Sequence, residues 1–236
     1  YIVIPVEYLS CLIDAGMSTG FGDHVTKIGG IKILSDGSLG ASTAALRQPY
    51  SDDPSSRGIT ICSQKELHSM VAEAHNAGFQ LAVHAIGDRA IDLVLNAFER
   101  ALKQNPREGH RHRIEHASVL NKTLIGRMKK LGLIASVQPH FIVSDFWVTS
   151  RLGKKRARWV YPFMSLLREG IVVAAGSDCP VEPIEPLLGM WAAMTRTDPY
   201  GENVSGEEAL RMYTFFGAVA SLEAVSYTHL RAHETG

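Results

Sequence analysis

Several short apolar runs end on side chains that can do chemistry. His84 closes the run in "FQLAVHAIGD", Glu115 and His116 close "RIEHA", and Asp178 follows "VVAAGS". In "GGIKILSDGSLG", Lys32 sits inside the run, and Asp36, Gly37 and Ser38 come after it. Imidazole nitrogen and carboxylate oxygen are good ligands for a borderline divalent ion; zinc is the first expectation, with iron or manganese able to take the same donors. A bound divalent ion lowers the pKa of water from about 15.7 toward 7, which makes hydroxide available at neutral pH. A carboxylate beside it, such as Asp178, can take the proton. His116, or His140 after Gln138 and Pro139, can steady a developing oxyanion.

Each of these residues also has a plainer reading. Lys32 can be a solvated strand charge and Asp178 a turn residue before Pro180. Glu115 can simply pair with Arg113 or Arg89. No contiguous motif such as HExxH is present, so a metal site rests on the convergence of separated residues.

The elements that must position these groups alternate in type. Strand-like runs occur at "GIKIL", "FQLAVHA", "RIEHA", "LIASVQP" and "GIVVAAGSD". Helical stripes lie between most of them. Leu67, Met70, Val71, Ala74 and Ala77 recur at helical spacing, with Ser63 and Glu66 as a capping box and Gly78 as a stop. Ile91, Val94, Leu95, Phe98, Ala101 and Leu102 mark a second helix over 88–104. Asn121 caps a third, a fourth covers about 186–197, and Ser205 with Glu208 opens a last one. Repeated strand–helix units predict a parallel sheet buried on both faces, and both an open doubly wound sheet and a closed barrel fit. By alternation Gln80, Ala82 and His84 share one strand face, Ile114 and His116 another, and Ala174, Gly176 and Asp178 a third. Two long connections, "GSLGASTAALRQPYSDDPSSRGITIC" and "HFIVSDFWVTSRLGKKRARWVYPF", follow strand ends, where parallel architectures bind ligands. Phe141, Phe146, Trp147, Trp159 and Tyr161 in the second suggest an apolar wall.

Bulk properties narrow the function class. The chain has 236 residues, 45% of them hydrophobic and 20% charged, with no net charge, so a packed core is expected and neither a nucleic-acid surface nor an acidic tail is. Lys154, Lys155, Arg156 and Arg158 form a cluster small enough to be a solvated loop face. Three dispersed Cys give no disulfide framework; a cytoplasmic setting is the default expectation, and a secreted or periplasmic one is also compatible with so few Cys. No 18-residue apolar run marks a membrane span.

Together, "GGIKILSDGSLGASTAAL", "AVHAIGDRAID", "HRIEHASVL", "SVQPHF" and "AAGSDCPVEPIEPLLGM" resemble the metal-dependent amidohydrolase superfamily, in the branch of N-substituted formamide deformylase-like enzymes. The resemblance runs from Gly29 to Leu222. It implies an α/β fold, a (β/α)8 TIM-like barrel, with one or two metal ions at the C-terminal mouth. It further implies that Lys32 is carbamylated to an anionic metal bridge, that His84 and His116 are ligands, and that Asp178 binds metal and shuttles the proton. Asp36, Gly37 and Ser38 are then expected to shape the site floor, with Glu115 and Trp147 as further substrate contacts. The implied partner is a small amide-like molecule, and the enzyme can be a homo-oligomer.

Two features depart from that pattern. The first-strand His-x-His pair is missing, since His110-Arg111-His112 lies at the wrong end of the strand carrying His116. The last residues, "SLEAVSYTHLRAHETG", do not continue the family pattern. The expectation is a partial barrel over 1–222 that lacks most of the first three strands, then a foreign-looking tail over 223–236. The isolated piece is expected to be inactive. Two other functions fit the residues: a Schiff-base lyase using Lys32, and a non-catalytic barrel protein.

Overall fold

The chain was analysed as a computed structural model, in which residues 1–196 and 201–223 are described. The five runs picked out in the sequence form β2 (Ile28–Leu34), β3 (Gln80–Ala85), β4 (Arg113–His116), β5 (Ile134–Val137) and β6 (Val173–Ala175). A sixth strand, β1 (Ile2–Pro5), precedes them. Its β-branched residues pair with β2, so of the three strands implied to be mostly absent, one is present. All neighbours are parallel and the spatial order is β1-β2-β3-β4-β5-β6. A doubly wound sheet needs a reversal of strand order, whereas a barrel wall needs none. Among the described residues the sheet is therefore barrel-like, with six strands in sequence.

The helices follow the expected stripes. After α1 (Leu9–Asp14) come α2 (Gln64–Asn76), α3 (Asp88–Gln104) and α4 (Lys122–Lys130). Ser63 and Glu66 form the capping box of α2, and Asn121 caps α4 through the Leu124 amide. The second long connection is not irregular: it folds into α5 (Phe141–Ser144), α6 (Val148–Ala157) and α7 (Phe163–Arg168). The chain continues with α8 (Pro186–Thr195), α9 (Gly206–Tyr213) and α10 (Phe215–Ala220), the last two separated at Thr214. Most of the proposed tail, 224–236, lies outside the described residues.

Strand alternation divides the sheet into two faces. Ile31, Ile33, Leu81, Val83, Ile114, Ala135 and Val173 join the main core with Val71, Ile91, Leu95, Phe98 and Leu124 of the helices. The other face carries Lys32, Ala82, His84, Arg113, Glu115, Ser136 and Ala174, with His84 beside Glu115 and Glu115 beside Ser136 in register. Beneath this inner face, α10 packs Ala220 on Ile134 and Ala174. Its last carbonyls accept from Gln80 Nε2 (2.9 Å, Ala220) and Arg111 Nη1 (3.0 Å, Val219). The floor of the sheet is thus closed by α10, and the C-terminal strand ends open on the opposite side.

Candidate active site

A cavity of about 560 Å³ lies at the C-terminal ends of the strands. Lys32, Ser38, His84, His116 and Asp178 all line it, joined by Leu34, Leu39, Ile86, Phe141, Tyr161 and Val181 and by the carboxylates Asp145 and Glu182. The Lys32, His84, His116 and Asp178 set comes from four different strands or strand ends, which is the convergence the sequence spacing suggested.

His116 reaches this cavity by breaking the alternation rule. Counting in twos puts it with Ile114, which is fully buried on the helix-covered face. Its ring instead lies 4.6 Å from that of His84, edge to face. The cause is the backbone: φ is 72° at His116 and 46° at Ala117, both left-handed. Asp178 (φ 59°) and Tyr161 (φ 52°) share that conformation and line the same cavity. Each non-glycine residue held there costs on the order of 1–3 kcal/mol, and such strain concentrates at functional sites.

Hydrogen bonds fix which imidazole nitrogen is available. His116 Nδ1–H donates to Gln138 Oε1 (2.7 Å), and His84 Nε2–H donates to the Gly37 carbonyl (3.0 Å). A carbonyl only accepts, so His116 keeps Nε2 and His84 keeps Nδ1 as the lone-pair nitrogen. Burial, followed by the neighbouring His84, lowers the His116 pKa to about 4, so the ring is neutral at pH 7. Asp178 sits at the exposed rim, and partial burial pushes its carboxyl up against the opposing pull of Lys32 and His84.

Five of the expected site residues, Asp36, Gly37, Glu115, Trp147 and His140, are not among those that line the cavity. Asp36 does not line the cavity. It is 1% exposed, and its carboxylate accepts from the amides of Ala45 (2.9 Å), Ile86 (3.0 Å) and Gly87 (2.8 Å). It therefore ties the first long connection to the turn after β3, and lies 3.4 Å from His84 Nε2. The approach is so close that a Cβ at Gly87 would meet the Ala45 carbonyl oxygen at 2.0 Å. Glu115 shares the sheet face of Lys32 and His84 but is spent on protein partners below the lining: it pairs with Arg113 Nε (2.5 Å) and accepts from Ser136 Oγ (2.6 Å). Burial alone would raise its pKa, but Arg113, Lys32 and these hydrogen bonds together hold it below the usual range. Trp147 lies outside the lining and stacks under Arg151, 4.9 Å from its guanidinium carbon. Gly37 contributes only its carbonyl oxygen, to His84.

The sequence did not reveal a polar network on the cavity wall. His140 Nδ1 bonds Glu182, Ser144 Oγ donates to the same carboxylate (2.5 Å), and Tyr161 O–H donates to Asp145. Burial, reinforced by Glu182, pushes Asp145 up to about 6. These partners are 16 to 42 residues apart, beyond any local periodicity. The basic cluster of α6 has a structural role: Arg156 donates to the carbonyls of Gln48 (3.0 Å) and Pro49 (2.7 Å), joining the two long connections.

Among the described residues, no group of three or more His, Cys, Asp or Glu side chains is arranged to hold a metal ion. The donors that line the cavity do fit part of a divalent centre, because each histidine is oriented by an oxygen acceptor that leaves one lone-pair nitrogen. No described helix is long and apolar enough to cross a membrane.

The profile of the amidohydrolase family matches residues 3–228. This chain belongs to the amidohydrolase family. It is 40% identical over 198 residues to YtcJ of Bacillus subtilis (strain 168), a match spanning 80% of this chain and 37% of YtcJ. It is 30% identical over 209 residues to N-substituted formamide deformylase of Arthrobacter pascens, covering 84% of this chain and 38% of that one. An uncharacterized metal-dependent hydrolase from Pyrococcus furiosus superposes with a TM-score of 0.85 at 39% identity, over 93% of this chain and 45% of that structure. The chain thus spans less than half the length of these relatives. Its six strands fit a barrel of the family's usual eight, with the wall incomplete among the described residues.

Proposed function

We propose that the protein carrying this chain hydrolyses a carbon–nitrogen bond other than a peptide bond, in an amide, formamide or cyclic amide, with the help of a divalent ion. The observation that carries this reading is the convergence of Lys32, His84, His116 and Asp178 on one cavity. The amidohydrolase relatives support it, and the likeness to the N-substituted formamide deformylase of A. pascens favours an N-substituted formamide among these substrates.

Lys32, as a carbamate, His84, His116 and Asp178 are the residues that would hold the ion, with zinc first and iron or manganese as substitutes. An ion bound by these donors supplies Lewis acidity and water acidified toward neutral pH. The chain's own groups do the remaining work. Asp178, its carboxyl raised by burial, accepts the proton of the attacking water and returns it to the leaving nitrogen. His140 is the candidate to steady the carbonyl oxygen as charge develops there, a role that requires its imidazolium form, because Nδ1 is held by Glu182 and only the charged ring also has a proton on Nε2. Leu39, Ile86, Phe141, Tyr161 and Val181 take the apolar part of the substrate and keep bulk water out.

The test is amine release from a graded set of N-substituted formamides and amides, using the protein carrying this chain at its natural length. Turnover that a chelator abolishes and added zinc restores supports the reading. Full turnover after removal of every divalent ion, or trapping of substrate on Lys32 by borohydride, overturns it.

A further inference from the structure

A row of rings gives the cavity a direction. From His116, the Phe141 ring lies 6.3 Å away, and the Tyr161 ring lies 6.4 Å from Phe141, centre to centre. The row ends on a carboxylate, because Tyr161 O–H donates to Asp145 Oδ2. Asp145 is therefore two ring steps from His116. Its neighbour Glu182 has both oxygens matched, by His140 Nδ1 and Ser144 Oγ. Asp145 differs: Oδ1 has no hydrogen-bond donor among the described residues and is not sealed in the interior. There is room beside it, since Asp145 and Tyr161 also line an adjoining cavity of about 160 Å³. The cation that acts on Asp145 is Arg151, and its guanidinium is engaged elsewhere. It donates to the Gly40 carbonyl (2.8 Å) and to Ser42 Oγ, pairs with Asp52 (3.6 Å) and stacks on Trp147.

We propose that Asp145 is a specificity-determining residue: it receives the ammonium end of a substrate whose N-substituent carries a protonated amine, while the amide lies at the His116 end of the cavity. A half-buried carboxylate with an open oxygen, beside a second carboxylate, favours a cation that can donate to it. The Phe141 and Tyr161 rings beside it add cation–π attraction. A neutral end gains nothing from the open oxygen, and a carboxylate end is repelled by Asp145 and Glu182 together. Burial, reinforced by Glu182, raises Asp145 only to about 6, so it is ionised at pH 8, where a primary amine is still protonated. The two ring steps suit a chain of a few carbon atoms between amide and amine. This subsite rests on the hydrolase reading for its effect on turnover, though not for the binding of an amine.

The experiment compares kcat/KM at pH 8 for formamides whose N-alkyl chains, in a graded series of lengths, end in an ammonium, a methyl or a carboxylate group. The protein carrying this chain is used at its natural length. At the best length the wild type is expected to prefer the ammonium end over the isosteric methyl end by roughly 30-fold and to reject the carboxylate end. Asp145→Asn, which keeps an oxygen for Tyr161 O–H, should bring that preference within about threefold. Asp145→Ser should do the same and stands in if the asparagine variant does not fold. Calorimetry with the matching n-alkylamine reads the subsite without turnover: it should bind the wild type, with a chelator present, and not Asp145→Asn. Equal use of ammonium and methyl ends by the wild type, a preference that survives in folded Asp145→Asn, or amine binding that the chelator abolishes overturns the proposal. A protein that hydrolyses no amide or formamide yet binds the amine through Asp145 refutes the hydrolase reading and leaves the subsite supported. Hydrolysis of methyl-ended formamides with no gain from the ammonium does the opposite.

Discussion

The two ends of the sheet are both rich in histidine and put it to opposite uses. At the N-terminal end, His75 Nε2–H donates to the Asn105 carbonyl (2.7 Å), and its Nδ1 accepts from His112 Nε2–H (2.9 Å). His112 Nδ1 accepts from the Leu81 amide (3.0 Å). His110 Nδ1 accepts from the His112 amide (2.9 Å), while its Nε2–H donates to the Leu131 carbonyl (3.0 Å). All six ring nitrogens are thus engaged, and Phe98 stacks on His112. At the C-terminal end, His84 and His116 each have one nitrogen fixed by an oxygen and the other left as an acceptor on a cavity. Saturation, more than residue type, separates a structural histidine from one with chemistry left to do.

This contrast can be broken by substitution. The largest effect is expected from Asp178→Asn, which should cut kcat by roughly 1,000-fold, within the range for removing a general acid–base group, while leaving the melting temperature nearly unchanged. At the saturated end, His112→Leu should do the reverse. It strands the Leu81 amide and His75 Nδ1 in the core, and should cost about 3 kcal/mol, or about 6–12 °C in Tm, with kcat of the folded protein preserved. Asp36→Asn should fall between the ends, because it loosens a buried three-amide anchor 3.4 Å from His84. A loss of about 2 kcal/mol by denaturant titration, together with a measurable fall in kcat, is the expected result. Trp147→Ala, outside the lining, should change KM by no more than about threefold.

The saturated end also predicts an acid response. Burial lowers the pKa of His75 and His110, and lowers that of His112 well below the ordinary value of 6.5. The unfolded chain therefore binds protons more readily than the folded one below pH 6.5. Stability is full above that pH and declines as pH falls below it. Chemical denaturation at pH 7.5 and 5 should show this decline, and it should be shallower in His112→Leu.

Much of the scaffold was legible because its signals are local. The capping boxes at Ser63/Glu66 and Ser205/Glu208 appear as read, and α3 matches its stripe from 88 to 104. Local period also explains the misses. The run at Ile2–Pro5 was too short to stand out, and the parity that paired His116 with Ile114 ignored a left-handed turn that no residue type announced. Asp36 and Glu115 were correctly read as polar groups near the strand ends. Their partners, Ala45, Ile86 and Gly87 for one and Arg113 and Ser136 for the other, depend on which segments the fold brings together. Gln138 and Glu182 were passed over for the same reason, since their roles exist only across strand boundaries.

The central claim is that the open-handed histidines, with Lys32 and Asp178, bind a divalent ion and the saturated ones do not. Zinc stoichiometry by elemental analysis after dialysis tests it most directly, comparing wild type, His84→Ala, His116→Ala and His110→Ala. Bound zinc in the wild type and in His110→Ala, with loss in the other two variants, is the predicted result. A wild type that retains no divalent ion, or a His110→Ala variant that loses as much as His116→Ala, would contradict it.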